Sequence, residues 1–174
     1  MVKMTKKYYS TNNEEIDANY MKIAVQSFFR YKKQYKLTCT EYCYKDVVAF
    51  KGSDFIEVEV KISKSDLKAD LHKPKHKKYV KGSETQKANY PNEFYYAFPK
   101  ELYQDEEVKE IVEKLNPKYG IIIVKDIYDV MIVKFATKLH DIKFRTTLKD
   151  DVIARLTSEN INLRQKLYNI QHNI

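Results

Sequence analysis

The sequence predicts an α/β or α+β domain: one mixed sheet flanked by helices and followed by a long C-terminal helix. Three observations predict this class. Strand-like and helix-like segments alternate along the chain. Hydrophobic residues make up 43% of its 174 residues, enough for a core. The last segment, residues 148–174, carries one apolar stripe at helical spacing.

The first predicted helix follows a flexible, basic N-terminal tail, residues 1–11. Asn12 stands three positions before Glu15, which is the spacing of a capping box. Ile16, Tyr20 and Ala24 then recur at helical spacing. Residues 12–147 are therefore expected to form the core domain. Residues 148–174 are expected to form a helix that packs on this core or pairs with a second copy.

Two strands are predicted next, over residues 37–50 and 54–62. Gly52-Ser53 between them is a two-residue turn signal with glycine first, as a type II′ hairpin requires. Such a turn pairs Lys51 with Asp54 and places Asp46 opposite Glu59. A slip of one residue would turn Asp46 to the other face of the sheet.

The rest of the chain continues the alternation. Ser63 or Ser65 is expected to cap a helix that Pro74 interrupts. Residues 83–92 are polar and loop-like. They are followed by a strand ("EFYYAF"), an amphipathic helix ("DEEVKEIVEKL") and two strands ("YGIIIVK" and "YDVMIVKFA"). The final helix carries the apolar stripe Val152, Leu156, Leu163, Leu167 and Ile170.

Charge and cysteine content narrow the function classes. The chain has 32 basic and 24 acidic side chains, a net charge of +8, which favours an anionic partner such as DNA. Cys39 and Cys43 are spaced one residue too far apart for a C-x-x-C motif. Both fall in the strand predicted over residues 37–50, so we expect them on one face of it, in a structural role.

No part of the chain predicts a membrane segment. No stretch approaches ~18 consecutive apolar residues, and the N-terminal residues lack the apolar centre of a signal peptide. We therefore expect a cytoplasmic, intracellular protein with no membrane partner.

The strand over residues 54–62 has two unlike faces. Alternation places Ile56, Val58 and Val60 on one face, and Glu57, Glu59 and Lys61 on the other. One interpretation is an antiparallel strand whose charged face is solvated. The alternative is a chemical site.

The predicted register favours the chemical site. Asp46 and Glu59 would have Cβ atoms ~5 Å apart, where like charges repel. A divalent cation such as Mg²⁺ or Mn²⁺ would cancel that repulsion. Lys61 would then stabilise a nucleophile or the charge that develops on a phosphate. Asp46, Glu59 and Lys61 thus predict metal-dependent phosphodiester cleavage.

A longer pattern surrounds these residues. "DVVAF", "DFIEVEVKISKSDLKADL", "KHKKY", "PNEFYYAFPKEL" and "YGIIIV" follow one another between residues 40 and 136. This region resembles the PD-(D/E)xK nuclease superfamily and, within it, the MmcB-like DNA repair family. The pattern departs from the motif at Lys45, since many members have proline before the first acid.

The resemblance implies a restriction-endonuclease-like fold, Mg²⁺ dependence and a DNA substrate. It implies that Asp46 and Glu59 bind the metal, with the Val60 carbonyl as a further candidate ligand. It also implies that Glu15 (or Glu14) from the first helix can join the site. Glu57 either lies behind the metal ligands and contacts them or is exposed to solvent, and we favour exposure.

A run of lysines follows the predicted site. It could track a DNA backbone, although charge runs are more often an ordinary solvated surface. The predicted DNA-binding residues are Lys64, Lys68, Lys73, Lys75, Lys77 and Lys78. His72 and His76 have the spacing of two metal ligands on a helix, but Pro74 lies between them. We therefore expect both histidines at the surface.

The sequence therefore favours a Mg²⁺-dependent DNA endonuclease of DNA repair or phage DNA metabolism. Because a fold does not fix an activity, a catalytically inactive DNA-binding or protein-assembly module on the same fold is the alternative.

Overall fold

A computed structural model describes residues 6–172 of the chain. It divides into two compact units, one ending at Phe144 and the other beginning at Arg145. Each unit is described separately below. Over the described residues, no helix combines the length and apolar character needed to cross a lipid bilayer.

The first unit is built on one six-stranded sheet in which the strands lie side by side in chain order. β1, β2 and β3 pair antiparallel, β3, β4 and β5 pair parallel, and β6 returns antiparallel to β5. This mixed sheet with flanking helices confirms the predicted α+β class. The strands are β1 (Leu37–Tyr42), β2 (Lys45–Lys51), β3 (Asp54–Val60), β4 (Glu93–Pro99), β5 (Gly120–Val124) and β6 (Val130–Lys134).

Helices fill the connections between the parallel strands, because such strands cannot be joined by a tight hairpin. Three helices connect β3 to β4, and two connect β4 to β5. The helices of the first unit are α1 (Ala18–Ser27, continued by a π-helical turn, Phe28–Lys32), α2 (Lys64–Asp70), α3 (Pro74–Lys81), α4 (Glu84–Lys87), α5 (Lys100–Tyr103) and α6 (Glu106–Glu113).

The β2–β3 hairpin has the predicted register. Lys51 pairs with Asp54 and Val48 pairs with Glu57. Gly52 has a φ of 61°, a conformation that glycine adopts without strain. Asp46 is thereby brought alongside the end of β3, where its Oδ2 accepts a hydrogen bond of 2.8 Å from the Val60 backbone N–H.

The single strand predicted over residues 37–50 is instead a hairpin, β1–β2. Cys43 and Tyr44, between the strands, have φ angles of 48° and 63°, the left-handed pair found in type I′ turns. Cys39 is buried in β1 and Cys43 is exposed in the turn. The prediction that both thiols share a strand face is therefore wrong. Neither turn residue is glycine or asparagine, so the composition gave no turn signal.

The N-terminal region also differs from its prediction. Tyr8 and Ser10 are buried, and Tyr9 forms a β-bridge with Glu15. Residues 8–11 therefore belong to the folded unit, because burying the large Tyr8 ring anchors them. Residues 1–5 of the predicted tail lie outside the described residues. The helix begins after Asp17, whose carboxylate accepts the Tyr20 N–H at 2.7 Å, so the predicted cap at Asn12 is wrong.

The segment between β3 and β4 follows its prediction at two points. Ser63 caps α2 by accepting the Asp66 N–H, and Pro74 is the first residue of α3, where no backbone N–H is needed. The loop predicted over residues 83–92 contains one helical turn, α4, which Ser83 and Gln86 cap reciprocally.

The second unit contains α7 (Thr147–His172), the long helix predicted at the C-terminus. Several large apolar side chains on it are more than half exposed: Ile153, Ile161, Leu163, Leu167 and Ile170. Whether this helix packs on the core or forms a homodimer stays a prediction.

Gly120 at the start of β5 has no room for a side chain. A Cβ there would lie 2.3 Å from the Tyr95 ring and 2.7 Å from the Ala136 backbone nitrogen. We expect Gly120→Ala to lower the free energy of unfolding by about 1–3 kcal/mol, the usual cost of overpacking. Urea unfolding measures this, with the exposed Lys118→Ala as control. Equal stability of the two variants would contradict the proposed steric conflict.

Candidate active site

An open cleft of about 790 Å³ lies beside the ends of β2 and β3. Asp46, Glu59, Val60 and Lys61 all line it, so the fold brings together every residue predicted for catalysis or metal binding. The other walls come from α1, the β1–β2 turn and the region of α2: Ala18, Lys22, Glu41, Cys43, Tyr44, Lys45, Asp66 and Lys73.

The charged face of β3 is not solvated. The exposed fractions of Glu57, Glu59 and Lys61 are 0%, 5% and 2%. Side chains from α2, α3 and the loop between them cover this face. The interpretation as a wet strand face is therefore wrong, and so is the expectation that Glu57 is exposed.

Glu59 is held by three ammonium groups. Its Oε1 lies 3.0 Å from Lys61 Nζ and 3.1 Å from Lys73 Nζ. Its Oε2 lies 2.5 Å from Lys75 Nζ. Burial alone would raise the pKa of Glu59, but the charges of Lys75 and Lys61 outweigh burial and lower this pKa below its ordinary value. Glu59 is therefore ionised at neutral pH.

Asp46 has the opposite balance. Its side chain is 25% exposed, and its Oδ1 lies 3.5 Å from the Lys22 ammonium. Burial, followed by repulsion from Glu59, raises the pKa of Asp46, although the Val60 N–H bond and Lys22 oppose this. The negative charge of Asp46 is thus less well compensated than that of Glu59.

Lys61 is surrounded by carboxylates. Its Nζ lies 3.0 Å from Glu59, 3.3 Å from Asp66 and 3.4 Å from Asp70. Three acidic partners fix this buried ammonium at the inner end of the cleft. Such a cation is placed to stabilise negative charge that develops on a bound anion.

Asp70 was missed by the sequence analysis and is fully buried. Its Oδ2 accepts hydrogen bonds from the Tyr96 hydroxyl at 2.7 Å and from His76 Nε2 at 3.0 Å. Its Oδ1 lacks a well-angled hydrogen bond but lies 2.5 Å from Lys73 Nζ. Asp66 and Asp70 stand four residues apart, the spacing of one helix face, and that spacing is the signal that could have revealed them.

Burial raises the pKa of Asp70, but the hydrogen bonds from His76 and Tyr96 and the ion pair with Lys73 outweigh it. The resulting pKa lies below the ordinary value for an aspartate. Asp70 is therefore a buried anion that supports two cleft lysines, Lys61 and Lys73.

His76 is part of this network rather than a surface residue, so that expectation is wrong. Its Nδ1 lies 2.9 Å from the Tyr119 hydroxyl, while its Nε2 contacts Asp70. Pro74 begins α3 and so turns Lys75, His76 and Tyr79 toward the sheet. His72 is exposed, as expected.

The side chain of Glu57 is likewise buried and contacts two residues of α3. The Tyr79 hydroxyl lies 3.0 Å from its Oε1 and 2.8 Å from its Oε2, and Lys75 Nζ lies 3.2 Å from Oε1. Glu57 does not line the cleft. Lys75 contacts both Glu57 and Glu59, so Glu57 lies behind the candidate site.

The lysines predicted to bind DNA fall into two groups. Four have carboxylate partners within the chain: Lys64 and Lys68 contact Glu107, and Lys73 and Lys75 contact Glu59. Lys77 and Lys78 are exposed. The run is therefore not one uniform phosphate-binding surface, because most of its charge is matched internally.

Glu15 does not join the cleft. It forms a salt bridge of 2.8 Å with Lys7, because its segment turns back as a β-bridge before α1 begins. The charged α1 side chain that lines the cleft is Lys22, which contacts Glu41 and Asp46. The first helix thus contributes a cation where the sequence analysis expected an acid.

The oxygen donors of the cleft suit a hard divalent cation. Asp46 and Glu59 line one space with Val60, and magnesium often binds through one or two carboxylates plus water. Within residues 6–172, no group of three or more acidic, histidine or cysteine side chains is arranged to hold a metal. A cation held by Asp46 and Glu59 would therefore keep most of its water and would compete with lysines for the Glu59 oxygens.

Comparison with known proteins adds information about the fold. No protein-family model matches the sequence, and no curated protein matches it. The structure is similar to that of a protein of unknown function from Silicibacter pomeroyi, with a TM-score of 0.56 and 18% sequence identity. The match covers 87% of this chain and 90% of that one. This likeness supports the mixed-sheet fold and carries no information about activity.

The Asp70 contacts predict a pH-dependent stability. Asp70→Asn would leave the buried Lys61 and the partly exposed Lys73 without one of their counter-charges, at a cost of about 3–5 kcal/mol near pH 7. Because the fold lowers the pKa of Asp70, its stabilisation is complete above the ordinary aspartate pKa and is lost as the pH falls below it. The stability gap between wild type and variant should therefore shrink below about pH 4.

Denaturant unfolding at pH 7 and pH 3 measures this gap. The matched control is Asp129→Asn, which breaks an exposed pair with Lys125 and should cost no more than about 1 kcal/mol. A gap of the same size at both pH values would mean that the charge of Asp70 is not what stabilises the fold.

Proposed function

We propose that this protein is a Mg²⁺- or Mn²⁺-dependent nuclease that hydrolyses phosphodiester bonds in DNA, in DNA repair or phage DNA metabolism. The observation that carries the proposal is the convergence of Asp46, Glu59 and Lys61 from neighbouring strands on one open cleft. Two carboxylates and an ammonium group are the groups that the PD-(D/E)xK resemblance requires. DNA is intracellular, so the proposal also includes an intracellular location.

In this proposal Asp46 and Glu59 hold the cation, with the Val60 carbonyl as a further candidate ligand. When bound, a divalent cation activates water and neutralises charge on a phosphate. Lys61 stabilises negative charge at the reacting phosphate, since Glu59, Asp66 and Asp70 fix its ammonium group at the cleft.

Further cations of the cleft bind the DNA backbone. Lys45 and Lys73 line the cleft, and Lys73 is 45% exposed although its Nζ contacts Glu59 and Asp70. A phosphate oxygen that replaced Glu59 as the partner of Lys73 would also remove one of the two lysine contacts of Glu59 Oε1, which would make this oxygen more accessible to the cation. Substrate and cation would then support each other's binding.

One observation favours the alternative, a catalytically inactive DNA-binding or assembly module. Both carboxylate oxygens of Glu59 already contact lysines, so its charge is compensated without a metal. Such a module would bind DNA in a salt-dependent way and would show neither metal binding nor cleavage.

Metal binding separates these functions. We expect MnCl₂ or MgCl₂ to raise the melting temperature of the wild type relative to EDTA, because a ligand that binds the folded state stabilises it. Glu59→Gln should abolish that rise, whereas Glu110→Gln, at an exposed position of α6, should retain it. If neither metal changes the wild-type melting temperature, the inactive module is favoured.

Cleavage tests the proposal directly. Single-stranded, duplex, nicked and branched DNA are incubated with and without Mn²⁺. Lys61→Ala should lower the cleavage rate by about 10²–10³-fold, the usual cost of removing a group that stabilises transition-state charge. The exposed Lys143→Ala is the control, and melting curves verify that each variant folds. Unchanged cleavage by Lys61→Ala would remove Lys61 from the mechanism.

Asp46 supplies a test that separates function from stability. Burial and Glu59 disfavour its charge, so we expect Asp46→Asn without metal to melt at or above the wild-type temperature, while its amide oxygen still accepts the Val60 N–H. The same variant should lose the metal-dependent rise. A large loss of stability in EDTA would instead indicate that Asp46 is retained to maintain the fold.

A further inference from the structure

A second cavity, of about 500 Å³, lies between α3 and the C-terminal end of α6. It shares no lining residue with the cleft. Cavities of this volume are large enough for a small-molecule ligand. Its composition, described next, points to the chemistry of that ligand.

The charge of the cavity is uniformly positive. Lys77 and Lys81 stand four residues apart and share a face of α3, and Lys114 follows α6. Among residues 6–172 none of these three ammonium groups forms an ion pair, unlike the lysines earlier in the same run. No aspartate or glutamate lines the cavity. An anionic group is therefore the complement of this rim.

The body of the cavity is apolar and aromatic. Ile111 and Leu115 form one wall, and the rings of His76, Tyr96 and Tyr119 form the base. Tyr96 and Tyr119 are buried, so they provide a rigid surface. A flat ring bound between aliphatic and aromatic side chains gains both burial and ring contacts.

Because the rim of this cavity is positively charged and its inner surface is aromatic, we infer that it binds a nucleoside phosphate. The nucleobase lies between Tyr119 and the wall formed by Ile111 and Leu115, and the phosphate lies at Lys77, Lys81 and Lys114. Two sources share this chemistry: a free nucleotide, and one nucleotide of a DNA strand. The inference rests on the cavity's own residues and holds whether or not the cleft cleaves DNA.

Two residues of the cavity's inner surface also hold a residue that supports the lysines of the cleft. His76 and Tyr96 both donate to Asp70, and Asp70 contacts Lys61 and Lys73 in the cleft. A nucleotide that contacts the His76 ring is therefore separated from Lys61 by two side chains, His76 and Asp70.

Fluorescence anisotropy in EDTA tests the inference without any contribution from a metal. The probes are a fluorescent deoxyadenosine monophosphate and a fluorescein-labelled oligothymidylate. The double variant Lys77→Glu/Lys81→Glu should weaken binding by at least about tenfold, which corresponds to 1.4 kcal/mol. The double variant Lys36→Glu/Lys143→Glu changes the net charge equally at exposed sites elsewhere and should change binding by less than about twofold.

A second variant removes the space and keeps the charge. Leu115→Trp places a larger side chain in the cavity. It should also weaken binding at least about tenfold. Melting curves verify that the variant folds. Asp129→Asn should bind both probes as the wild type does, because Asp129 pairs with Lys125 and does not line the cavity.

Each outcome decides the inference. Binding of both probes, lost in the two cavity variants, supports a site for free nucleotides. Binding of the oligonucleotide alone, lost in the same variants, supports a site for one nucleotide of a strand. No binding of either probe overturns the inference, and so does an equal loss in the cavity and control charge variants. Failure of cleavage with retained nucleotide binding would refute only the nuclease proposal.

Discussion

The structure depends on neutralising the acidic side chains on the buried face of β3. Glu57 and Glu59 could not lie inside a protein without partners, because burying an unpaired charge costs several kcal/mol. Lys61, Lys73 and Lys75 supply that compensation; Lys73 directly precedes α3 and Lys75 lies in its first turn. The packing that brings these lysines to the sheet is therefore also what keeps Glu59 ionised.

Much of the fold could be predicted because its signals are local. The Gly52-Ser53 turn determined the register of β2 and β3, and Ser63 and Pro74 marked the starts of two helices. The β1–β2 turn could not be predicted, because Cys43 and Tyr44 adopt left-handed conformations that only the surrounding hairpin imposes.

The candidate site was predicted in part, for a similar reason. The alternation in β3 and the register correctly placed Asp46, Glu59 and Lys61 together. Alternation cannot reveal what covers a face, so Glu57 was expected in solvent and Asp70 was not considered. Asp70, His76 and Tyr96 are distant in sequence and meet through helix packing, which one strand's pattern does not encode.

The parallel pairing of β3 with β4 has a consequence during synthesis. The hairpin that carries Asp46 and Glu59 can form as soon as residue 60 is available, since its contacts are local. Tyr96, which holds the Asp70 support, lies on β4 and arrives only after three intervening helices have been made. A nascent chain that ends before β4 would contain Lys61, Lys73 and Lys75 but would lack the Tyr96 hydroxyl that donates to Asp70. The support of the charge cluster is thus completed late in chain elongation, and shortened chains would lack it.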